Sequence, residues 1–348
     1  YSLATDYYEE AVREEREDNF ELFATYTDEI NEDFGYTVNF QANTRLNSIN
    51  TNSVSTNGGL SVPNWFNINA SNDRPTILDT TSKKKVNSLG LFGTLSYKNM
   101  LYLDLSARNE WSSALPSDNN SYFYPSGSAS FIFSEILDSD IISFGKVRAG
   151  WAAIRNDTNP YQLYNVYSAQ DPIGDNPAFS VPNTLNNSEL KPELTEEFEV
   201  GLEMRMFQNR LGFDFTYYDK TSTDLILPLT VSGTSGVTSA WVNAGKMTNK
   251  GLELALYGTP VKTDDFSWDV NVNWARNVNK VHELAPGINN YLINSWGPSV
   301  NAKVGEAYGS IVTDGFLYHE NGERIVEIDG SGNYTYAREA NKVVGNVS

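Results

Sequence analysis

The chain has 348 residues, no cysteine and a formal net charge of −19, from 25 Lys and Arg against 44 Asp and Glu. The acidic balance argues against a nucleic-acid-binding surface, and the missing cysteines exclude disulfides, zinc–thiolate sites and thiol nucleophiles. No apolar run is long enough for a transmembrane helix. A mean hydropathy of −0.43 still permits a membrane protein, because half of each strand in a transmembrane β-barrel is polar.

Alternation of apolar and polar residues recurs along the chain and predicts β-strands. The weaker segments are 19–26, 35–44, 127–133, 146–154 and 250–258, and the clearest are 91–97, 101–108, 198–206, 211–217 and 266–274. About ten strands follow, many near the ~9–11 residues that cross a bilayer at a tilt. Residues 7–20 alone have a helical pattern, and we interpret them as a solvated acidic loop rather than a short exposed helix.

The connections between these strands are alternately short and long. Short turns are predicted at 27–34, 97–100, 207–210 and 258–265, and long loops at 46–88, 109–126, 155–196 and 219–249. Antiparallel strands place every second connection on the same side, so all long loops face one way. This asymmetry is typical of outer-membrane barrels, with short periplasmic turns and long extracellular loops.

Aromatic residues flank the polar loop around residues 112–121. Trp111 precedes the loop, and Tyr122, Phe123 and Tyr124 follow it. Amphipathic rings prefer the level of the lipid headgroups, so we predict that these four residues belong to an aromatic girdle. The alternative is a soluble β-sandwich or propeller with aromatic core residues, which leaves the loop asymmetry unexplained.

Several motifs resemble those of SusC/RagA-type TonB-linked outer-membrane proteins and keep that family's order. Residues 191–201, KPELTEEFEVG, resemble the KPExTxxxExG signature, and residues 243–253, NAGKMTNKGLE, resemble NAGxxxNKGxE. The segments RNEWSS at 108–113, YFYPS at 122–126 and FSW at 266–268 add to the match.

We predict a structural role for the residues of these two motifs. They are Lys191, Pro192, Glu193, Thr195, Glu199, Gly201, Asn243, Gly245, Asn249, Gly251 and Glu253. Glycines are expected where strands bend or backbones pack closely. Glu199, Glu203 and Glu253 fall on the polar side of their strands, where they face the lumen and can meet Arg or Lys.

The resemblance implies an all-β fold, a partial transmembrane antiparallel barrel that supplies about ten or more of 22 strands. We expect residues 1–348 to be part of one barrel domain, with the plug domain, the TonB box and the final strands outside this chain. The implied location is the outer membrane of a Gram-negative, Bacteroidota-like bacterium.

The resemblance also implies TonB-dependent nutrient import without enzymatic chemistry or a cofactor. Expected partners are a SusD-like surface lipoprotein, the TonB–ExbB–ExbD complex reached through the N-terminal region, outer-membrane lipid, and an oligosaccharide or, less often, a peptide ligand. A dimer of barrel–lid pairs is expected. Alternatives are a stand-alone siderophore or cobalamin receptor, a passive porin, and a soluble β-rich glycan-binding or adhesive protein.

Tryptophan and amide side chains in the loops suit sugars, because rings stack on sugar faces and amides bond hydroxyls. The candidate ligand or lid contacts are Trp65, Asn67, Trp241, Asn243 and Trp296, with anchoring of the loops as the alternative. His282 and His319 have no histidine partner in sequence, so no metal site is predicted. Residues 329–333, DGSGN, lack the later positions of a calcium loop and favour a glycine-rich turn.

Overall fold

A computed structural model describes residues 6–295 and 297–347, apart from the side chain of Asp171. Within these residues, regular structure is almost entirely β. The strands are β1 Glu9–Asn31, β2 Phe34–Leu60, β3 Ser71–Tyr97, β4 Leu101–Ser112, β5 Ser121–Ile132, β6 Ile142–Asn156, β7 Ser168–Ile173, β8 Asn176–Ser180, β9 Thr184–Leu185, β10 Glu193–Met206, β11 Leu211–Thr223, β12 Ile226–Thr230, β13 Ser239–Asn243, β14 Lys246–Lys262, β15 Ser267–Glu283, β16 Asn290–Ser295, β17 Ser299–Lys303, β18 Tyr308–Phe316, β19 Val326–Ile328, β20 Tyr334–Tyr336 and β21 Arg338–Asn346.

Helical structure is confined to short 3₁₀ turns in the part of the chain that is described. They are Ile68–Ala70, Phe133–Ile136 and Gly233–Ser235. None of the described helices is long and apolar enough to cross a bilayer.

Ten strands form one antiparallel sheet, which we call the wall. Their order is β1-β2-β3-β4-β5-β6-β10-β11-β14-β15, so each wall strand pairs with the wall strand before and after it in the chain. Strands β1 and β15 are the two edges of the sheet as described. The predicted all-β, antiparallel barrel wall of about ten strands is confirmed.

The wall has one apolar and one polar face, as the period of two predicts. On β4, Leu101, Leu103 and Leu105 point to one face, which we call the outer face, and the residues between them point to the inner face. Leu91 on β3 and Leu105 are 53% and 56% exposed. Such a continuous apolar surface suits lipid rather than water.

The alternation of short and long connections is confirmed, but two predicted loops are wrong. Residues 46–88 were expected as a long loop, whereas β2 continues to Leu60 and β3 begins at Ser71. Residues 7–20 were expected as an acidic loop, whereas most of them belong to β1. Both faces of these segments are largely polar, so they lack the alternation that marks a half-apolar strand. Their backbones still pair with the neighbouring strands, with two register shifts between Ser55 and Leu60.

The predicted aromatic girdle needs correction at two of its four residues. Phe123 pairs with Asn109, on the outer side of β4, and is 49% exposed, and Trp111 has the same parity as Asn109. Tyr122 pairs with Glu110 and is only 4% exposed, and Tyr124 points the same way. Adjacent residues of a strand face opposite sides, so Tyr122 and Tyr124 belong to the inner face.

Smaller sheets lie at the end of the wall that carries the long connections. They comprise β7-β8, β9-β13-β12, β16-β17-β18-β21 and β19-β20. A buried apolar cluster of Leu115, Tyr122 and Leu190 joins the connection between β4 and β5 to the wall. Trp241 packs against this cluster. We call the smaller sheets and the long connections at this end of the wall the loop cluster.

Candidate functional site

The inner face of the wall carries a fixed network of charges centred on Arg148. Its guanidinium donates to both carboxylate oxygens of Asp214, with Nη2–Oδ1 at 2.9 Å and Nη1–Oδ2 at 3.1 Å. Nη2 also donates to Thr216 Oγ1 at 2.6 Å, and Nε to Glu199 Oε1 at 3.4 Å. A bidentate pair of this kind fixes geometry as well as charge. The network links β6, β10 and β11.

The glycine of the first motif makes room for this network. Gly201 on β10 pairs with Arg148 on one side and Thr216 on the other. A Cβ atom at Gly201 would lie 2.5 Å from Arg148 Cζ. The arginine side chain therefore crosses β10 directly over Gly201 to reach Asp214 on β11. Glycine is required at position 201 because a side chain there would collide with Arg148, and not because of an unusual backbone conformation.

The second motif repeats the same arrangement with a tyrosine. Tyr218 on β11 lies over Gly251 on β14, where a Cβ atom would be 2.3 Å from the ring Cζ. The Tyr218 hydroxyl donates to Asn277 Oδ1 on β15 at 3.3 Å. Asn279 then donates to Asn249 Oδ1 at 2.7 Å. The Asn249 and Gly251 of NKG thus form part of a polar network across β11, β14 and β15.

A third polar group lies on the inner face nearer to the loop cluster. Arg108 Nη2 donates to Glu110 Oε1 at 2.6 Å and to Ser88 Oγ at 3.2 Å. Tyr124 donates its hydroxyl to the other oxygen of Glu110 at 2.9 Å. The Tyr124 ring meets Tyr122 edge to face, with centroids 5.5 Å apart. The two aromatic residues are thus built into a hydrogen-bonded layer beneath the loops.

A partly buried ion pair fastens the long connection after β6 to the wall. Lys84 Nζ lies 2.5 Å from Asp157 Oδ1 and 3.1 Å from the carbonyl oxygen of Thr158. Ser112 donates its hydroxyl to the other oxygen of Asp157. The Lys84 and Asp157 side chains are 22% and 15% exposed. This arrangement ties β3, β4 and the loop together at one point.

Asn243, a predicted ligand or lid contact, uses its side chain to hold loops together. Its Oδ1 accepts from the Lys191 backbone N at 2.8 Å, and its Nδ2 donates to the carbonyl oxygens of Lys191 at 2.7 Å and Asp224 at 3.0 Å. The first residues of the two sequence motifs are therefore in direct contact. This geometry supports the anchoring alternative for Asn243.

The remaining candidate contacts lie in separate places. Trp241 is half-buried against the apolar cluster, and its carbonyl oxygen accepts from Asn187 Nδ2 at 3.1 Å. Trp65 is 47% exposed at the tip of the β2–β3 hairpin, and nearby Asn67 caps a 3₁₀ turn by accepting from Asn69 N at 2.9 Å. Trp296 lies outside the described residues. Trp241 and Asn243 share β13, whereas Trp65 and Asn67 belong to a different hairpin.

The remaining motif residues have varied surroundings. Glu193 accepts from the backbone N of Ile226 at 2.8 Å, which fastens the start of β10 to the start of β12. Gly245 has φ of 95°, a conformation that residues with a Cβ rarely adopt. Glu253 is exposed on the inner face beside a cavity of about 510 Å³ whose lining includes Arg148, Asp214 and Thr216.

Sequence reasoning missed Arg148 and Asp214, although both fall on the polar parity of their strands. The signal was available in part, since Glu199 and Gly201 were singled out and Arg148 faces them across a strand pair. Register between strands cannot be read from one strand's pattern alone. The polar character of Arg148 and Asp214 was visible in the sequence, but the pairing of their strands with β10 was not.

No metal-binding cluster of three or more His, Cys, Asp or Glu occurs in the described part of the chain. The calcium-like stretch forms the turn between β19 and β20. Asp329 Oδ1 accepts from the backbone N–H groups of Ser331 at 2.8 Å and Asn333 at 2.9 Å. The bonds from Asn333 and Ser331 lower the pKa of Asp329, so its carboxylate already has partners within the turn.

Comparisons with known proteins agree with this architecture. The family model described as TonB dependent receptor-like, beta-barrel, matches residues 1–347. TonB-dependent receptor P3 of Formosa agariphila is 28% identical over 288 residues, covering 74% of this chain and 29% of that protein. TonB-dependent receptor SusC of Bacteroides thetaiotaomicron is 27% identical over 268 residues, covering 70% of this chain and 27% of that protein.

A solved structure has the same fold. The structure of the RagAB peptide transporter superimposes with a TM-score of 0.79 and 20% identity, covering 94% of this chain and 37% of the other. The chain therefore spans less than a third of the length of these curated relatives and little more than a third of the solved one.

Proposed function

Because the chain belongs to the TonB-dependent receptor-like β-barrel family, we propose that it forms part of the wall of an outer-membrane nutrient importer. The observation that carries the proposal is the match of the family model over residues 1–347. The wall suits that role, with an apolar outer face for lipid and a polar inner face whose charges are held by hydrogen bonds. Transport draws on TonB and the inner-membrane proton gradient rather than on chemistry in this chain.

The proposed partners follow from the SusC/RagA-type motifs. A SusD-like lipoprotein covers the extracellular end, and the TonB–ExbB–ExbD complex acts through the N-terminal region of the whole protein. Two barrel–lid pairs form a dimer. The similarity to SusC and to the RagAB transporter supports this arrangement.

We propose an oligosaccharide as the ligand, with a peptide as the second candidate. The second candidate is favoured by the fold shared with a transporter that is described as carrying peptides. Trp65, Asn67, Trp241, Asn243 and Trp296 remain candidate ligand or lid contacts. Trp65 is the most accessible of the described ones, since half of its surface is exposed at a hairpin tip.

The first experiment is to extract the full-length protein from outer membranes in detergent and identify everything that co-purifies by mass spectrometry. Peptides of a plug domain and a SusD-like lipoprotein are expected. A plug without a lipoprotein would favour a stand-alone siderophore or cobalamin receptor. A detergent extract without either would favour a porin, and an intact protein that stays soluble without detergent would favour a secreted β-rich glycan-binding or adhesive protein.

Uptake then tests energy coupling and ligand class. Cells are given fluorescent oligosaccharides and fluorescent peptides, with a tonB deletion and a protonophore as parallel controls. Uptake of oligosaccharide that is lost in both controls is the expected result. The changes Trp65→Ala, Trp241→Ala and Trp296→Ala should reduce uptake or lid binding, and unchanged values for all three would remove these residues as contacts.

A further inference from the structure

The outer face changes from apolar to cationic where β14 and β15 approach the long-connection end. On β14 the outer-face residues run from Leu254 and Leu252 to Lys250. On β15 they run from Trp274 through Arg276 and Val278 to Lys280. The first cation of β15, Arg276, lies level with Leu252, whereas Lys250 on β14 lies level with the exposed Val278, so the cations begin one same-face pair deeper on β15 than on β14.

Three cations are neighbours at this level. Lys250 pairs with Val278, Arg276 with Leu252, and Lys280 with Thr248, so the cations occupy diagonal positions on one face. Diagonal neighbours in an antiparallel pair lie about 7–8 Å apart, within reach of long side chains. All three side chains are exposed. We call Lys250, Arg276 and Lys280 the cationic corner.

The charge of the cationic corner is only partly neutralised by the chain itself. Lys250 Nζ lies 2.6 Å from Asp219 Oδ2. Arg276 and Lys280 have no carboxylate within 4.0 Å among residues 6–295 and 297–347. The Thr248 hydroxyl and His282 Nε2, 2.8 Å apart, add hydrogen-bonding groups beside the cations. The corner therefore retains two unpaired positive charges in a strongly acidic chain.

The short-turn end of the wall has no comparable cluster of basic residues in the described part of the chain. The short connections and the strand ends beside them carry the acidic residues Asp28, Glu29, Glu32, Asp33, Glu135, Asp138, Asp140, Asp264 and Asp265, against the basic residues Lys98, Arg210 and Lys262.

We propose that the cationic corner binds the phosphate groups of the phosphorylated glycolipid in the outer leaflet of the outer membrane. The long connections of such barrels face the cell exterior, so the corner lies at the headgroup level of that leaflet. Trp274, 49% exposed directly below, is placed where tryptophan anchors a protein at the lipid–water boundary. Arginine and lysine bind phosphate by charge-assisted hydrogen bonds, and long basic side chains extend toward headgroups.

The test uses the full-length protein, purified in detergent and stripped of lipid. Native mass spectrometry measures binding of phosphorylated lipid A and of the same lipid with its phosphates removed. Cations near an anionic lipid surface contribute about fivefold each to binding. The wild-type protein should therefore prefer the phosphorylated form by at least tenfold. Equal binding of the two lipids would overturn the proposal, and this comparison needs no variant.

The second arm compares two double variants. Arg276→Gln with Lys280→Gln should weaken binding of phosphorylated lipid A by about 25-fold and leave the phosphate-free lipid unaffected. Lys98→Gln with Lys262→Gln removes two cations from the short-turn end and should change neither. Heat-modifiable migration in gels confirms that each variant is folded. Equal losses in both double variants would refute a site at the corner.

Discussion

Replacing Gly201 by alanine tests whether the first motif glycine exists to admit the Arg148 side chain. The new methyl group would lie 2.5 Å from both Cζ and Nε of Arg148, well inside contact distance. The guanidinium must then leave its position over β10, and its bonds to Asp214 and Thr216 are lost or lengthened.

The magnitude follows from the contacts that are lost. Hydrogen bonds to charged groups contribute about 1.5–3 kcal/mol, and the lower end applies because the Arg148 and Asp214 side chains are 27% and 34% exposed. Alanine in place of glycine returns up to about 1 kcal/mol through the lower entropy of the unfolded chain. We therefore expect Gly201→Ala to lower the free energy of unfolding by about 1 kcal/mol.

Gly93→Ala provides a matched control in the interior of another wall strand. Among the described residues, apart from the two next to it in the chain, the nearest atom to a Cβ at Gly93 is Thr37 O at 4.0 Å, so alanine fits there. Urea unfolding of the full-length protein in lipid vesicles, followed by tryptophan fluorescence, measures both variants. Gly93→Ala should be neutral or slightly stabilising.

A double-mutant cycle decides whether Arg148 is the cause. In an Arg148→Ala background, Gly201→Ala should no longer destabilise the protein, because nothing crosses the glycine. The reasoning is refuted if Gly201→Ala costs the same in both backgrounds, or if it behaves like the Gly93 control in the wild-type protein.

Three further predictions concern the other polar contacts. Gly251→Ala should displace Tyr218 and lower the free energy of unfolding by about 1 kcal/mol in the same assay, and a prior Tyr218→Ala change should remove most of that cost. Asn243→Ala removes three hydrogen bonds of about 1 kcal/mol each and should speed hydrogen exchange in the loop cluster. Unchanged exchange rates would contradict a role of Asn243 in holding these loops together. Asp157→Ala leaves the Lys84 ammonium partly buried without its partner and should cost about 2 kcal/mol and increase proteolysis of the connection after β6, whereas unchanged proteolysis would argue that the ion pair does not hold that loop.

The membrane-facing part of the fold is readable from the sequence because lipid imposes a strict rule. Each strand that crosses the bilayer must alternate, so Leu101–Arg108 and Phe198–Met206 stand out at once. Parts of a strand that extend beyond the lipid need not alternate. Residues 47–60 of β2 lie beyond the apolar band, and their Asn, Ser and Thr content resembles a loop although the backbone pairs with β3, residue by residue as far as Ser55.

The polar networks were only half predictable. The motifs drew attention to Gly201 and Gly251, and in the structure a neighbouring side chain lies closely over each of them. The partners Arg148 and Tyr218 come from neighbouring strands, and only the register brings them over the glycines. The direction of Tyr122 was predictable in principle, because Phe123 beside it was expected to face lipid and adjacent residues cannot both do so.

The length of the β2–β3 hairpin has a practical consequence. The outer face of β2 is apolar up to about Leu46, so roughly 14 residues of the strand, up to Leu60, extend beyond the lipid band. At about 3.3 Å per residue and a tilt near 45°, the hairpin tip stands roughly 30 Å above the hydrocarbon. An epitope or a single reactive thiol placed at residues 62–66 would be reachable from outside the cell without approaching the bilayer. Since this chain contains no cysteine, such a thiol would be the one labelling site that it offers to a membrane-impermeant reagent.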